Sequence, residues 1–281
     1  MAGTILFGID VETADENAAG FIRYGAPFFE ALGLPVTWYV TGATLERHAD
    51  AFRALRDHPL IDLQAHTYGH VILKAIWMKI PEGRTIHEST DYFFQPCVMP
   101  AEADADLARC QAAFNEVLGR PAEGLTGPWG YYRGLADRPD LLEMVCRHGF
   151  RFLRTFARNE TDGQPVPLEW QPFSYTRQGR PEVVELMVHD YQDDFYWKAF
   201  NDPAPGETYA DHMLRMVDRV AREDRVWSTC SHDHGAATRE GFEKKGAWYR
   251  AFMEHARERG VRFMTGKAFA DANRGRLPAG V

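Results

Sequence analysis

The sequence is poor in cysteine, and its cysteines are not grouped. Four occur in 281 residues, with no C-x-x-C pair among them. They are Cys97, Cys110, Cys146 and Cys230. Such spacing argues against a disulfide framework or a structural zinc knuckle. We therefore expect reduced thiols and a cytoplasmic protein.

Two further absences narrow the classes of partner. Lysine and arginine total 32 against 40 acidic residues, giving a formal charge of −8, and they form no stripe that would bind nucleic acid. No apolar run approaches the roughly 20 residues needed to cross a bilayer, and the first residues lack the pattern of a signal peptide. We expect neither a nucleic-acid nor a membrane partner.

Apolar runs typical of buried strands recur along the chain, and amphipathic helical segments separate most of them. The runs are 4–9, 36–40, 61–65, 150–153, 183–188, 226–230 and 261–265. This alternation predicts a parallel sheet in a single α/β domain over residues 1–281. Polar clusters follow the first, an early and a late strand, which favours a barrel over an open sheet, where a ligand site gathers mainly at a switch point.

Residues 71–100 interrupt the alternation of strand and helix. The segment is rich in aromatic residues, proline and methionine, and it directly follows a pair of histidines. We expect it to be an inserted lid or a dimer contact. If it is a dimer contact, the protein forms a homo-oligomer. Residues 159–180 are predicted to be a surface loop with a short hairpin.

His66 and His70 are four residues apart at the end of a predicted strand. On a helical turn, both imidazoles would lie on one face and could bind a single divalent metal ion. The alternative is two surface or capping histidines, since such a pair also arises by chance.

Asp10 and Glu12 end the first predicted strand, where a buried carboxylate is costly unless it is paired or bound to metal. One would bind the metal and the other would serve as a general base. The alternative is that Asp10 caps the following helix and that Glu12 begins a loop.

His232 follows a late strand and is a candidate general acid for a departing amine, because the imidazole pKa lies near neutrality. A separate metal site formed by His232, Asp233 and His234 is the alternative, although alternate residues at a strand end usually diverge. The role of His234 stays open. Cys230 continues the buried strand, so we interpret it as structural rather than as a nucleophile.

Taken in order, these motifs resemble the polysaccharide deacetylase superfamily, that is, carbohydrate esterase family four and its relatives. Asp10-Val11-Glu12 matches the first motif, His66-Thr67-Tyr68-Gly69-His70 the second, the loop with Pro128 the third, and His232 the late histidine. The branch that this chain resembles most contains intracellular peptidoglycan-deacetylase-like proteins and cyclic imidases.

The resemblance implies a distorted (β/α)7 TIM-like barrel that hydrolyses an amide with a divalent metal ion, zinc first, with cobalt or nickel as alternatives. It makes Asp10 the base, His232 the acid, and Glu12, His66 and His70 the metal ligands. Backbone N–H groups of residues 129–131 would stabilise the oxyanion, so Trp129, Gly130 and Tyr131 are the candidate substrate-binding residues.

The third motif departs from the family pattern. Most members have R-x-P there, with an arginine that orients the catalytic aspartate, whereas this chain has Thr126-Gly127-Pro128. The first motif also departs, because Val11 and Glu12 replace the usual second aspartate. Because of these departures, the resemblance alone does not fix which metal ion binds or whether the reaction requires one.

Three functions remain open from the sequence. The first is a metal-dependent N-deacetylase of an amino sugar or related amide, with a small-molecule or oligosaccharide substrate. The second is a cyclic imide or ureide hydrolase, with or without a metal. The third is an inactive barrel that acts as a binding protein.

Overall fold

The computed structural model describes residues 3–86, 88–159, 165–200 and 204–280. Its strands are β1 (Thr4–Val11), β2 (Val36–Val40), β3 (Ile61–Ala65), β4 (Ile76–Lys79), β5 (Tyr92–Gln95), β6 (Gly124–Tyr132), β7 (Phe152–Arg158), β8 (Phe173–Tyr175), β9 (Arg180–Glu185), β10 (Val226–His232) and β11 (Arg262–Phe263). Its helices are α1 (Glu16–Leu32), α2 (Gly42–Arg47), α3 (Ala49–Leu55), α4 (Pro100–Leu118), α5 (Pro139–Arg147), α6 (Asp194–Phe200), α7 (Tyr209–Glu223), α8 (Arg239–Glu258) and α9 (Gly266–Asn273).

The main sheet has nine strands, and seven of them follow one another in parallel in the order β10-β1-β2-β3-β6-β7-β9. The short β11 pairs parallel with the start of β1, and β8 pairs antiparallel with β9. No ladder joins β9 to β10 among the described residues, but the chain after β9 reaches β10, where the N–H of His189 donates to the carbonyl of Ser228 at 2.8 Å. The predicted α/β fold class with a parallel sheet is confirmed. Backbone and side-chain contacts of His189 with β10 thus join the two ends of this strand order into a ring without a closing ladder, as in a distorted seven-stranded barrel.

The ring places the carboxyl ends of its strands at one rim, where loops supply functional groups in barrels of this kind. β1 and β10 pair in a register that sets Asp10 beside His232. Side chains alternate along a strand, so Asp10 and Glu12 share a face while the fully buried Val11 packs into the core. Register and alternation therefore bring three polar residues of the sequence motifs to the same rim.

Among the parallel strands at the centre of the main sheet, β6 is the one that the sequence did not predict. Its glycines and proline are typical of a loop, and its register with β7 shifts between Thr126 and Tyr131. Trp129 and Gly130 both have φ of 68° in this irregular stretch. A tryptophan with positive φ is a strained conformation that the surrounding structure must hold in place.

Residues 71–100 contain the separate β4–β5 hairpin. Met78 and Phe93 are buried on its inner face, whereas Trp77 and Phe94 are half exposed or more on its outer face. The predicted hairpin near 159–180 occurs as β8 and β9, which pair antiparallel, while residues 160–164 of that prediction lie outside the described residues. No described helix has the length and apolar character that a membrane span requires.

Candidate active site

Glu12 is the centre of a cluster of imidazoles at the rim of the barrel. Its Oε2 lies 2.9 Å from Nε2 of His66 and 3.0 Å from Nε2 of His70. Its Oε1 lies 3.2 Å from Nε2 of His234. Burial would raise the pKa of Glu12, but the hydrogen bonds from His234, His66 and His70 outweigh burial and hold that pKa well below its usual range. The sequence had left the role of His234 undecided.

Glu12, His66 and His70, which we call the three-donor cluster, fit a divalent metal ion. One donor atom from each lies within 4.8 Å of the others. Ligands about 2.1 Å from a tetrahedral ion lie about 3.4 Å from one another, close to the separations of the two imidazoles from Glu12. Two imidazole nitrogens and a carboxylate oxygen are also the donor set of many catalytic zinc sites, which keep further positions open.

The two histidines meet through a tight turn, and the helical turn suggested by their spacing was wrong. Thr67 and His70 have φ of 54° and 57°, in the left-handed region. The carboxylate of Asp106 on α4 accepts the N–H groups of Tyr68 at 2.7 Å and Gly69 at 2.8 Å. Asp106 thus fixes the turn that carries both imidazoles, a role that no local pattern revealed.

Asp10 lies beside this cluster and is held by a buried arginine. Its Oδ2 is 3.5 Å from Nε2 of His66, and its Oδ1 accepts a hydrogen bond from Nη2 of Arg154 on β7. Nε of Arg154 also donates to Oγ1 of Thr126 at 3.1 Å. Thr126 stands where the third motif usually has its arginine, so a guanidinium from the neighbouring strand reaches the aspartate instead.

The space for Arg154 comes from a glycine. A Cβ at Gly8 on β1 would lie 2.5 Å from Nη1 of Arg154. The guanidinium also lies 4.1 Å from the centroid of the Tyr39 ring. The arginine side chain is 2% exposed, and sequence reasoning missed it. The available signal was a charged residue inside the apolar run of β7.

His232 is oriented by a second carboxylate. Its Nδ1 lies 3.0 Å from Oδ2 of Asp193, which precedes α6. Burial would lower the pKa of His232, but the hydrogen bond to Asp193 and the nearby charges of Glu12 and Asp10 outweigh burial and raise that pKa to about 9. The imidazole is therefore protonated at neutral pH.

Asp233 does not join its neighbouring histidines in a separate metal site. Its Oδ2 accepts the N–H groups of Glu12 and Thr13 at 3.2 Å and the Thr13 hydroxyl at 2.9 Å. The carboxylate thus fixes the chain just after β1. The His232 and His234 rings stack with their centroids 5.3 Å apart, and His234 faces Glu12.

A cavity of about 340 Å³ connects these groups. Trp129 and Gly130 line it, as do Phe195 and Cys230. Tyr131 is absent from the lining: its side chain is buried, and its hydroxyl accepts the N–H of Leu73 at 3.1 Å. The irregular β6 directs the Tyr131 ring into the core, so any part of Tyr131 in substrate binding falls to its backbone N–H, which stays a prediction.

The β4–β5 hairpin and Arg158 hold Trp129 at the cavity. The rings of Phe93 and Trp129 have centroids 4.9 Å apart. Nε of Arg158 donates to the carbonyl of Trp129 at 2.9 Å. The strained tryptophan is therefore fixed through both its ring and its backbone.

Comparison with known proteins bears on the family and the fold of the chain. The family model for polysaccharide deacetylases matches residues 12–146. No curated protein matches the chain in sequence. Among the solved structures that share its fold are the following three. One, from Mycobacterium smegmatis and provisionally described as a polysaccharide deacetylase, is 15% identical, with a TM-score of 0.69 over all of this chain and 94% of its own.

The second is the Puue allantoinase, 13% identical, with a TM-score of 0.67 over 98% of this chain and 91% of its own. The third, a probable polysaccharide deacetylase from Pseudomonas aeruginosa PAO1, is 13% identical, with a TM-score of 0.63 over 98% and 92%. The family match begins at Glu12, so it covers the second motif and the third loop but neither Asp10 nor His232, and the shared fold extends over the remainder. Residues 12–146 of the chain thus resemble the polysaccharide deacetylase family, and the chain as a whole shares the fold of these structures.

Proposed function

We propose that the chain is a metal-dependent hydrolase of an amide C–N bond. The observation that supports this most is the convergence of three devices on one cavity. They are the three-donor cluster, Asp10 held by Arg154, and His232 held by Asp193. A structural role explains none of them easily, because buried charges are costly unless they are paired.

In this proposal, Glu12, His66 and His70 would hold one divalent ion, zinc first, with cobalt or nickel as alternatives. When bound, such an ion supplies Lewis acidity toward a carbonyl oxygen and a water molecule. His234 contacts the other oxygen of Glu12 and would keep that carboxylate oriented.

Asp10 would act as the general base. Arg154 fixes Oδ1, which leaves Oδ2 directed toward His66 and the three-donor cluster. A carboxylate in that position can accept a proton from the attacking water. The backbone N–H groups at Trp129 and Gly130 are our candidates for stabilising negative charge that develops on the carbonyl oxygen.

His232 would act as the general acid. Its raised pKa, about 9, keeps the imidazole protonated at neutral pH, and Asp193 fixes the ring through Nδ1. Nε2 is then free to donate a proton to the departing nitrogen. Without that proton an amine is a poor leaving group, so we expect the C–N bond to break only when His232 is protonated.

The substrate that we propose first is an N-acetylated amino sugar or a related amide. A cavity of about 340 Å³ is near the lower end of the range for ligand sites, so it fits one acetamido group with its sugar ring rather than a long chain. The match of residues 12–146 to the polysaccharide deacetylase family supports deacetylation as the reaction.

A cyclic imide or ureide is the second candidate. The small cavity suits a compact ring, and the fold shared with an allantoinase is compatible with that class of substrate. The hypothesis of an inactive barrel was based partly on the missing arginine of the third motif. Arg154 supplies a guanidinium to Asp10 despite that altered motif, which weakens the hypothesis.

We also propose that residues 1–281 form one catalytic domain and that residues 71–100 cover the site. The contact of Phe93 with Trp129 supports a covering role for the hairpin. The free thiols support a cytoplasmic location.

A hydrolysis screen tests the reaction and the substrate together. Wild type, Asp10→Asn and Asp62→Asn are incubated with acetylated amino sugars, cyclic imides and ureides, and acetate release or ring opening is measured. We expect turnover of one class, reduced by a factor of about 100 to 10,000 in Asp10→Asn. Asp62→Asn, which alters a half-buried carboxylate outside the cavity lining, should keep the wild-type turnover. Equal turnover in wild type and Asp10→Asn would refute the assigned base.

A further inference from the structure

Cys230 is a thiol inside the candidate active site. Its side chain is 2% exposed and lines the cavity, and its Sγ donates to Oδ2 of Asp10 at 3.4 Å. One donor atom each from Asp10, Cys230 and His232 lies within 4.8 Å of the other two. These three residues form a second group of potential metal ligands next to the three-donor cluster.

The chemistry of this second group suits a borderline-soft divalent ion. Thiolate, imidazole and carboxylate are all common zinc ligands. Asp193 engages Nδ1 of His232, which leaves Nε2 available. A carboxylate on the far nitrogen of a ligating histidine is the usual support for a metal-bound imidazole.

We propose that Asp10, Cys230 and His232 form a second, inhibitory site for a divalent metal ion such as zinc. Binding of that ion follows from the three side chains alone, whereas the inhibition rests on the proposed function. An ion there would occupy both the base and the acid of the proposed reaction, so neither could transfer a proton.

This second site is the weaker of the two. Arg154 already places a positive charge on Oδ1 of Asp10, which opposes another cation nearby. The Cys230 S–H bond must also break as the bond from sulfur to metal forms, and its proton passes to solvent. The site therefore fills only after the three-donor cluster, when metal is in excess.

A cobalt(II) titration of the metal-free full-length protein tests the proposal. Cobalt replaces zinc in such sites, and its bond to thiolate gives a charge-transfer band in the near ultraviolet. We expect wild type to bind two equivalents, with the band developing after the first. In Cys230→Ser we expect one equivalent and no band. Cys97→Ser, which removes the exposed thiol, is the matched control and should behave as wild type.

A band that persists in Cys230→Ser, that is missing from wild type, or that disappears in Cys97→Ser would overturn the second site. Turnover of whichever amide the enzyme hydrolyses should fall at least tenfold as the second equivalent binds to wild type. The same excess of cobalt should leave the turnover of Cys230→Ser at that variant's own one-equivalent value. Unchanged turnover would overturn the inhibition. The variant with both His66→Ala and His70→Ala should lose the first equivalent of cobalt. If it still binds that equivalent, the metal centre of the proposed function is refuted, whatever happens to the charge-transfer band.

Discussion

Arg154 and Asp10 form a buried ion pair whose members lie 144 positions apart in the chain. Removing one member of a buried pair leaves an uncompensated charge, whereas removing both does not. The pair therefore makes a distinctive prediction for stability as well as for turnover.

Arg154→Met should lower the free energy of unfolding by about 3–5 kcal/mol, because Asp10 is left buried without its partner. Asp10→Asn combined with Arg154→Met should be more stable than Arg154→Met alone, which denaturant unfolding measures. If the stability loss of the double variant equalled the sum of the losses in Asp10→Asn and Arg154→Met, the pair would not be coupled. Turnover of Arg154→Met should fall about 100-fold with unchanged metal content, since a misplaced base is ineffective.

Asp193 sets the proton affinity of His232, which gives a pH prediction. Because the hydrogen bond to Asp193 raises the pKa of His232, Asp193→Asn should lower that pKa from about 9. The acid then loses its proton at lower pH, so the alkaline limb of the rate profile moves down by about one to two units. Asp190→Asn, which alters a carboxylate paired with His212 in the same loop, is the control. An unmoved limb in Asp193→Asn would contradict the role of His232 as acid.

At the scale of elements, α4 supports the turn after β3. Asp106→Ala removes the acceptor for the N–H groups of Tyr68 and Gly69, so the imidazoles of His66 and His70 lose their fixed orientation. We expect metal affinity to fall about 10- to 100-fold, measured by competition with a chelator. Asp104→Ala, on the exposed surface of the same helix, should bind metal as wild type does. Equal affinity in both variants would refute the supporting role.

The β4–β5 hairpin makes a prediction about substrate binding. Phe93→Ala removes the ring that packs on Trp129, so the cavity wall becomes mobile and KM should rise several-fold with metal content retained. The same change should cost about 3–5 kcal/mol of stability. Phe94→Ala, on the exposed outer face, should leave KM unchanged. A KM that rises equally in both variants would mean that the outer face binds substrate.

On the scale of the whole molecule, periodicity and order predicted much of the architecture. The apolar runs of the sequence correctly located β1, β2, β3 and β10. The polar clusters that follow β1, β3 and β10 meet at one rim because parallel strands point the same way. β6 was missed because its glycines and proline hide a strand whose irregular register is fixed by its neighbours.

The arrangement of the site was only partly accessible from sequence. Asp10, Glu12, His66, His70 and His232 do come together, and motif order was sufficient to select them. Arg154, Asp106 and Asp193 act from distant segments, so only the folded chain shows what they contact. The side chain of Tyr131 points away from the site because of local strand irregularity, which no pattern encodes.

The metal content of the purified protein tests the central claim most directly. Wild type and the variant with both His66→Ala and His70→Ala would be incubated with zinc, cobalt or nickel, freed of loosely bound metal and measured by plasma mass spectrometry. We predict close to one ion per chain in wild type and almost none in the variant. A wild type that retains no ion under any of these conditions, or a variant that retains as much as wild type, would contradict a metal centre at Glu12, His66 and His70.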